Sequence, residues 1–151
     1  MTRPESTFLK RGGAFVMAQF VLLGMIGVSG VRHRRGSRLG LVLIAAGVAL
    51  GARGGRTLGR NLTPLPEPLR DGQLVTGGAY ASMRHPIYAA LLLLSVGWSV
   101  LRGSRLALSW TAALALLFHF KANHEEAALE RKFPEYAAYR ARVKRVLPGV
   151  Y

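Results

Sequence analysis

The sequence predicts an all-α, polytopic membrane protein, with about four transmembrane helices in two hairpins and a cytosolic C-terminal helical extension. Three features carry that reading. Apolar residues gather in four runs, at about 12–31, 39–58, 86–101 and 106–120. Two of the connections are short and arginine-containing, Arg32-His33-Arg34-Arg35 and Arg102-Gly103-Ser104-Arg105. At 151 residues the chain is one domain, 1–151, with no room for a separate soluble catalytic unit.

Residues 1–11 are polar and end in Lys10-Arg11, a basic flank before the first run. That run, 12–31, has Gln19 as its only strongly polar side chain, and 20 residues at ~1.5 Å each span ~30 Å, a bilayer core. A cleaved signal peptide also begins with basic residues. Its apolar part rarely exceeds ~15 residues, however, and here an arginine-rich turn follows at once, so the run reads as a span. Residues 39–52 are apolar over a shorter length, which alone suits a buried or re-entrant helix; the expectation is a hairpin with the first helix. Gly47, Gly51, Gly55 and Gly59 recur every fourth residue and predict a smooth ridge of the small-xxx-small kind. No strand and no GK[ST] signature accompanies them, so packing is preferred over a phosphate loop. The ridge carries the helix through Arg53 and Arg56 toward Arg60 and Asn61.

Pro64, Pro66 and Pro68 rule out regular helix in the next stretch, and Asp71-Gly72 and Gly77-Gly78 are turn signals. The loop 61–85 is long for a compact domain, and such loops tend to be functional or disordered. It leads directly into Arg84-His85-Pro86-Ile87-Tyr88, where proline favours a first helical position and His85 is placed as the N-cap. The orphan N–H groups and positive end of that helix would face an anion. The third and fourth runs make a second hairpin. Residues 121–133 lack Gly and Pro, so the fourth helix should continue out of the membrane carrying His124, Glu125, Glu126 and Glu130. Pro134 then opens a last amphipathic helix, completing the extension 121–148. Tyr136, Tyr139, Val143 and Leu147 share one face of it, and basic residues on the other suit a membrane surface.

A formal charge of +14 raises nucleic acid as a partner. The basic residues bracket apolar segments instead, as in a membrane protein beside anionic lipid; membrane lipids are the expected partner and nucleic acid is not. Four spans put 15 of the 21 basic and all seven acidic residues on one side, which the positive-inside rule makes cytosolic. Arginine outnumbers lysine 17 to 4, which fits a GC-rich bacterial source; the expected location is the bacterial cytoplasmic membrane, with the site facing the cytosol. The absence of cysteine removes thiolate ligands and a cysteine nucleophile. His33, His85, His119 and His124 lack metal-ligand spacing, so no metal site is expected.

Glu125 and Glu126 are adjacent and point ~100° apart on a helix, so they are not a facing pair. Glu126 and Glu130 share a face and need a cation between them. Acidic groups just beyond an apolar helix, on the same side as Arg84 and His85, tend to be functional. Tyr80, Tyr88, Tyr136 and Tyr139 serve by default as interfacial residues, and each also offers a π face to a cation.

Leu58-Gly59-Arg60-Asn61, Leu74-Val75-Thr76-Gly77-Gly78-Ala79-Tyr80, Arg84-His85-Pro86-Ile87-Tyr88, and Glu125-Glu126 with Phe133, Glu135-Tyr136 and Tyr139 together resemble the isoprenylcysteine carboxyl methyltransferase family, related to the phospholipid N-methyltransferases. The resemblance covers roughly residues 39–148. It implies an integral membrane enzyme that binds S-adenosyl-L-methionine in a cytosolic pocket and methylates a lipophilic small-molecule or lipid-linked acceptor. It also implies catalytic roles for Arg84, His85 and Glu126. The implied cofactor site is Gly77, Gly78, Tyr80, Arg84, His85, Tyr88, Glu125 and Glu126, and the implied substrate site is Arg60, Asn61, Tyr136 and Tyr139. The chain departs from the common pattern at Ala79, often proline, at Ser82, often larger, and at Ala90, often glycine.

The residue chemistry agrees with that resemblance. Arg84 suits the cofactor's carboxylate, the glutamates its ammonium or ribose diol, and a tyrosine face its sulfonium. A carboxylate acceptor needs no base, whereas a thiol, phenol or amine does, with His85 or His124 as the candidate. Two alternatives remain open: a phospholipid amine N-methyltransferase, and a non-catalytic membrane protein that binds anionic lipid or a partner.

Overall fold

A computed structural model describes residue 8, residues 11–31 and residues 36–147. Lys10, the turn 32–35 with His33, and the end of the extension at 148 lie outside the described residues. Among the described residues the fold is helical and has no strand: α1 (Gly13–Val31), α2 (Leu39–Leu58), α3 (Pro86–Arg102), α4 (Arg105–Lys132) and α5 (Tyr136–Arg142). Short 3-10 turns cover Gly59–Asn61 and Gly78–Ala81. α1 and the stretch Leu39–Asn61 are long and apolar enough to cross a membrane, and α3 is a shorter apolar helix of 17 residues. Their outward side chains include Phe20, Val21 and Val28 on α1, Leu41, Val42 and Val48 on α2, and Leu116 and Phe120 on α4. A continuous exposed apolar surface of this kind belongs against lipid.

The helices do not pair as the sequence order suggests. α1 lies against α4, and α2 lies along α3, rather than α1 packing on α2. The reason is where the small residues fall. A Cβ on Gly40 would stand 2.4 Å from the Gly97 carbonyl oxygen, and one on Gly97 would stand 2.8 Å from that of Gly40. The backbones of α2 and α3 therefore touch, and any side chain there would push them apart. α1 instead joins α4 through polar and apolar groups. Gln19 Oε1 accepts from Lys121 Nζ at 2.7 Å, and Ile26 enters the core with Tyr88, Leu114, Phe118 and Ala122. Ser104 Oγ caps α4 at Ala107 N and reaches Ser29 O on α1.

The glycine ridge is also shifted from the expected one. Gly40, Gly47, Gly51 and Gly54 meet α3, whereas Gly55 and Gly59 have open space where a Cβ would point. Steps of four residues drift ~40° per step around a helix of 3.6 residues per turn, while steps of seven, four and three stay on one face. Gly59 ends α2 instead, at φ +52.

α4 continues through Phe120 to Lys132, 28 residues in all. The extension beyond it differs from expectation. α5 has seven residues and stops at Arg142, so among the described residues the expected amphipathic helix does not continue through Val143 and Leu147. Residues 143–147 leave the helix through a series of bends and return beneath the start of α3, where Arg84 N donates to Lys144 O at 2.8 Å and His85 N to Arg145 O at 2.9 Å. These amides precede α3 and need partners outside it; the returning strap supplies them. Tyr136 and Tyr139 are buried, while Leu147 is exposed, so the predicted shared face is divided between core and solvent.

Candidate functional site

Glu126 lies at the centre of the region where loop, α3, α4 and strap meet. Its carboxylate, 2% exposed, accepts from Arg84 Nε at 3.1 Å, from Arg145 Nε at 3.0 Å and from Arg145 Nη2 at 2.8 Å. His85 Nε2 lies 2.9 Å from the same Oε1. His85 occupies the N-cap position of α3, with Pro86 beginning the helix, but its ring makes no capping bond because it is turned to this carboxylate. Burial by itself raises the Glu126 pKa; the bonds from His85, Arg145 and Arg84 outweigh it and hold the carboxyl far below the usual carboxylate range. Arg84 Nη1 also donates to the carbonyls of Arg140 and Val143. Arg140 stands between Glu126, at 3.7 Å, and Glu130, at 2.5 Å, the cation that this pair of carboxylates requires.

Glu125 points elsewhere, as adjacency on a helix dictates. Its Oε2 accepts from Tyr88 Oη at 2.6 Å and lies 3.7 Å from His85 Nδ1. The Tyr88 ring is fixed between His85, with centroids 5.0 Å apart, and Phe118, at 4.6 Å. Glu125 remains 30% exposed and faces two adjoining cavities. The first, about 670 Å³ including its open mouth, lies beneath the loop and is lined by Asn61, Gln73, Tyr80, Arg84, Tyr136 and Tyr139 among others. The second, about 730 Å³ on the same measure, runs between helices and is lined by Leu62, Ile87, Tyr88, Leu91, Lys121 and Gln19 among others. Leu58, Thr63, Tyr80, Arg84 and Glu125 line both.

The structure therefore brings together Tyr80, Arg84, His85, Tyr88, Glu125, Glu126, Tyr136 and Tyr139. Tyr136 and Tyr139 line the loop-side cavity, not the one between the helices. Tyr139 Oη donates to Tyr80 O at 2.6 Å, and burial pushes its pKa up to about 12. Asn61 Oδ1 accepts from Gln73 N and shapes the loop. Arg60 is exposed and lines neither cavity. Gly77 and Gly78 line neither as well. Gly78 has φ +57, and a Cβ there would stand 2.7 Å from Thr57 Oγ1, so this glycine lets the chain turn against α2 and deliver Tyr80. His124 is half-buried against Phe15, with ring centroids 5.8 Å apart, and is also away from both cavities.

Sequence reading passed over three residues of this region. Gln19 carried a signal, since it is the one strongly polar side chain in a 20-residue apolar run. Lys121 carried a weaker one, at the boundary where the apolar part of α4 ends. Arg145 carried none, because its role depends on a strap that doubles back.

Residues 36–136 match the family model described as phospholipid methyltransferase. Protein-S-isoprenylcysteine O-methyltransferase B of Arabidopsis thaliana is 33% identical over 118 residues, covering 76% of this chain and 60% of that protein. The matched region takes in α2, the loop, α3, α4 and Tyr136, and so holds the Glu126 cluster except for Arg140 and the strap. By this match over about two thirds of its length, the chain belongs to the phospholipid methyltransferase family, with an isoprenylcysteine O-methyltransferase among its relatives.

Proposed function

We propose that this protein is a membrane methyltransferase that uses S-adenosylmethionine to methylate a lipophilic acceptor, such as a carboxylate or thiol, at the cytosolic face. The observation that carries the reading is the pair of cavities meeting at Tyr80, Arg84 and Glu125, one beneath the loop with Asn61, Gln73 and three tyrosines set in an apolar wall, and one between helices where Leu62, Ile87 and Leu91 stand beside Gln19 and Lys121. A donor with charged and aromatic parts and an acceptor with a hydrocarbon tail need such chambers side by side. The loop-side cavity fits the donor. Glu125 Oε1 has no protein partner among the described residues and suits an ammonium or diol. Leu58, Leu74 and Val75 offer apolar wall, and Tyr80, Tyr136 and Tyr139 offer ring faces.

S-adenosylmethionine supplies an electrophilic methyl group on a sulfonium. The protein's contribution is positioning, which governs a direct displacement. Glu126 holds Arg84 and His85 in place, and Arg84 in turn fixes the strap that closes the region from below. Tyr88 fixes Glu125, while Leu62, Ile87 and Leu91 exclude water from the acceptor side. A carboxylate acceptor requires no proton transfer. For a thiol or amine, His85 is the candidate base, since it lines the helix-side cavity and His124 does not. A phospholipid amine is the second acceptor reading, favoured by the description of the matched family.

Calorimetric titration of S-adenosylhomocysteine into detergent-solubilised protein tests the reading. Saturable binding that Glu125→Gln weakens at least tenfold is expected, about 1.4 kcal/mol. Folded wild-type protein that binds none would overturn it in favour of a non-catalytic, lipid-binding role.

A further inference from the structure

Three cations stand near this site, one of them fully buried, and only the two arginines touch a carboxylate. Arg84 and Arg145 share the Glu126 carboxylate. Lys121 is 2% exposed, and its ammonium donates to Gln19 Oε1, a neutral acceptor, at 2.7 Å. The Tyr88 ring lies 5.2 Å away. No carboxylate of the described residues lies within 4 Å of Lys121 Nζ. Glu125, one turn further along α4, acts on the ammonium only from beyond ion-pair distance, with its Oε2 taken by Tyr88. An ammonium has three donors, and desolvating it without an opposite charge is unfavourable. Such a group, buried where the apolar part of α4 ends and lining a cavity, is a candidate functional site.

Its location says what would answer it. Lys121 and Gln19 both line the helix-side cavity, whose other walls include Leu58, Leu62, Ile87 and Leu91. We propose that Lys121, held by Gln19, binds the anionic group of an amphiphilic acceptor, a carboxylate or a phosphate, whose tail lies against those leucine and isoleucine side chains. The proposal rests on the methyl-transfer reading for the word acceptor, and on the cavity alone for the anion. Gln19 orients the ammonium; Tyr88 gives it a π face while the cavity is open. The pair also ties acceptor recognition to α1, which otherwise stands outside the motifs that mark the site.

The test uses three probes with the same twelve-carbon tail: dodecanoate, dodecyl phosphate and neutral dodecylglycerol. Each is radiolabelled and bound to full-length protein in a non-ionic detergent. Wild-type protein is expected to bind one of the anionic probes at least tenfold more tightly than the neutral one. A preference for phosphate identifies a phospholipid headgroup, and a preference for carboxylate identifies a lipid acid. Lys121→Met should remove the discrimination, Lys121→Arg should keep part of it, and Gln19→Leu should reduce it severalfold. Arg105→Gln, an exposed arginine at the start of α4, controls for nonspecific attraction and should leave it unchanged. Equal binding of all three probes by wild-type protein overturns the proposal without any variant having to fold. So does discrimination that survives Lys121→Met; a structural lysine would alter stability and leave head-group preference alone. S-adenosylhomocysteine binding is measured separately, so loss of the donor reading and loss of the anion site are distinguishable.

Discussion

Replacing Glu126 by glutamine removes a charge while nearly preserving shape. In the native protein this carboxylate accepts from Arg84, from both Nε and Nη2 of Arg145, and faces His85 Nε2. Glutamine leaves one acceptor oxygen and turns an NH2 donor toward other donors. Breaking a buried ion pair by removing one partner costs ~3 to 5 kcal/mol. Arg84 and Arg145 keep 9% and 11% of their side-chain exposure and are partly hydrated on release, so the lower end, ~3 kcal/mol, is expected. That corresponds to roughly a 100-fold larger opening constant for the strap. The assay is hydrogen exchange at the Arg84 and His85 amides, which donate to the strap carbonyls. Protection should fall by about two orders of magnitude at neutral pH. The folded pKa of Glu126 is depressed from the ordinary 4.5, so its stabilisation is fully present above 4.5 and is lost as pH falls toward the folded value. Wild-type protection should therefore decline below pH 4.5, whereas the variant should lack that component. Protection within threefold of wild type at neutral pH would refute the assignment of Glu126 as the counterion that anchors the strap.

Three further outcomes follow from single contacts. Gly97→Leu inserts a side chain where even a Cβ would lie 2.8 Å from the Gly40 carbonyl oxygen; the melting temperature in detergent should fall by an amount equivalent to ~1 to 3 kcal/mol or more, and an unchanged melt would mean that α2 and α3 do not cross there. Tyr88→Phe removes the hydroxyl that donates to Glu125 at 2.6 Å, a bond to a charged group worth ~1.5 to 3 kcal/mol. It should lower kcat/KM for methyl transfer ten- to a hundredfold with the circular-dichroism spectrum unchanged. Tyr139→Phe loses the 2.6 Å bond to the Tyr80 carbonyl and should destabilise the protein by ~0.5 to 1.5 kcal/mol in thermal unfolding; a larger effect on S-adenosylhomocysteine affinity than on stability would place its hydroxyl in binding.

The sequence made the helices legible and left their partners obscure, for a physical reason. Length, apolar runs and Ser104, Pro86 and Gly103 as boundary residues are local properties, so the extents of α1, α3 and the long α4 follow from them. Pairing depends on which face of α2 is smooth, and that turns on a small angular drift: Gly47 and Gly51 lie on the contact face while Gly55 and Gly59 have left it. The strap was illegible for a different reason. Residues 143–147 continue a sequence with helical spacing, and they leave the helix because two distant amides and a distant carboxylate offer more than another turn would. The candidate site was legible as a set of residue types, because RHPIY and EE concentrate charge beside apolar helices. Its division of labour was not.

That division follows from the one fact of adjacency. Two consecutive carboxylates on α4 cannot face the same way, so burial and charge assign them different tasks. Glu126, turned inward, meets Arg84, Arg145 and His85 and is saturated by the protein itself. Glu125, turned toward both cavities, spends one oxygen on Tyr88 and leaves the other open toward them. Exchanging the order of demands, so that the outward glutamate held the strap, would leave two half-buried guanidinium groups without a carboxylate and a cavity without an acceptor. The inner glutamate therefore holds the region together, and on the proposed function the outer one is the carboxylate presented to a ligand.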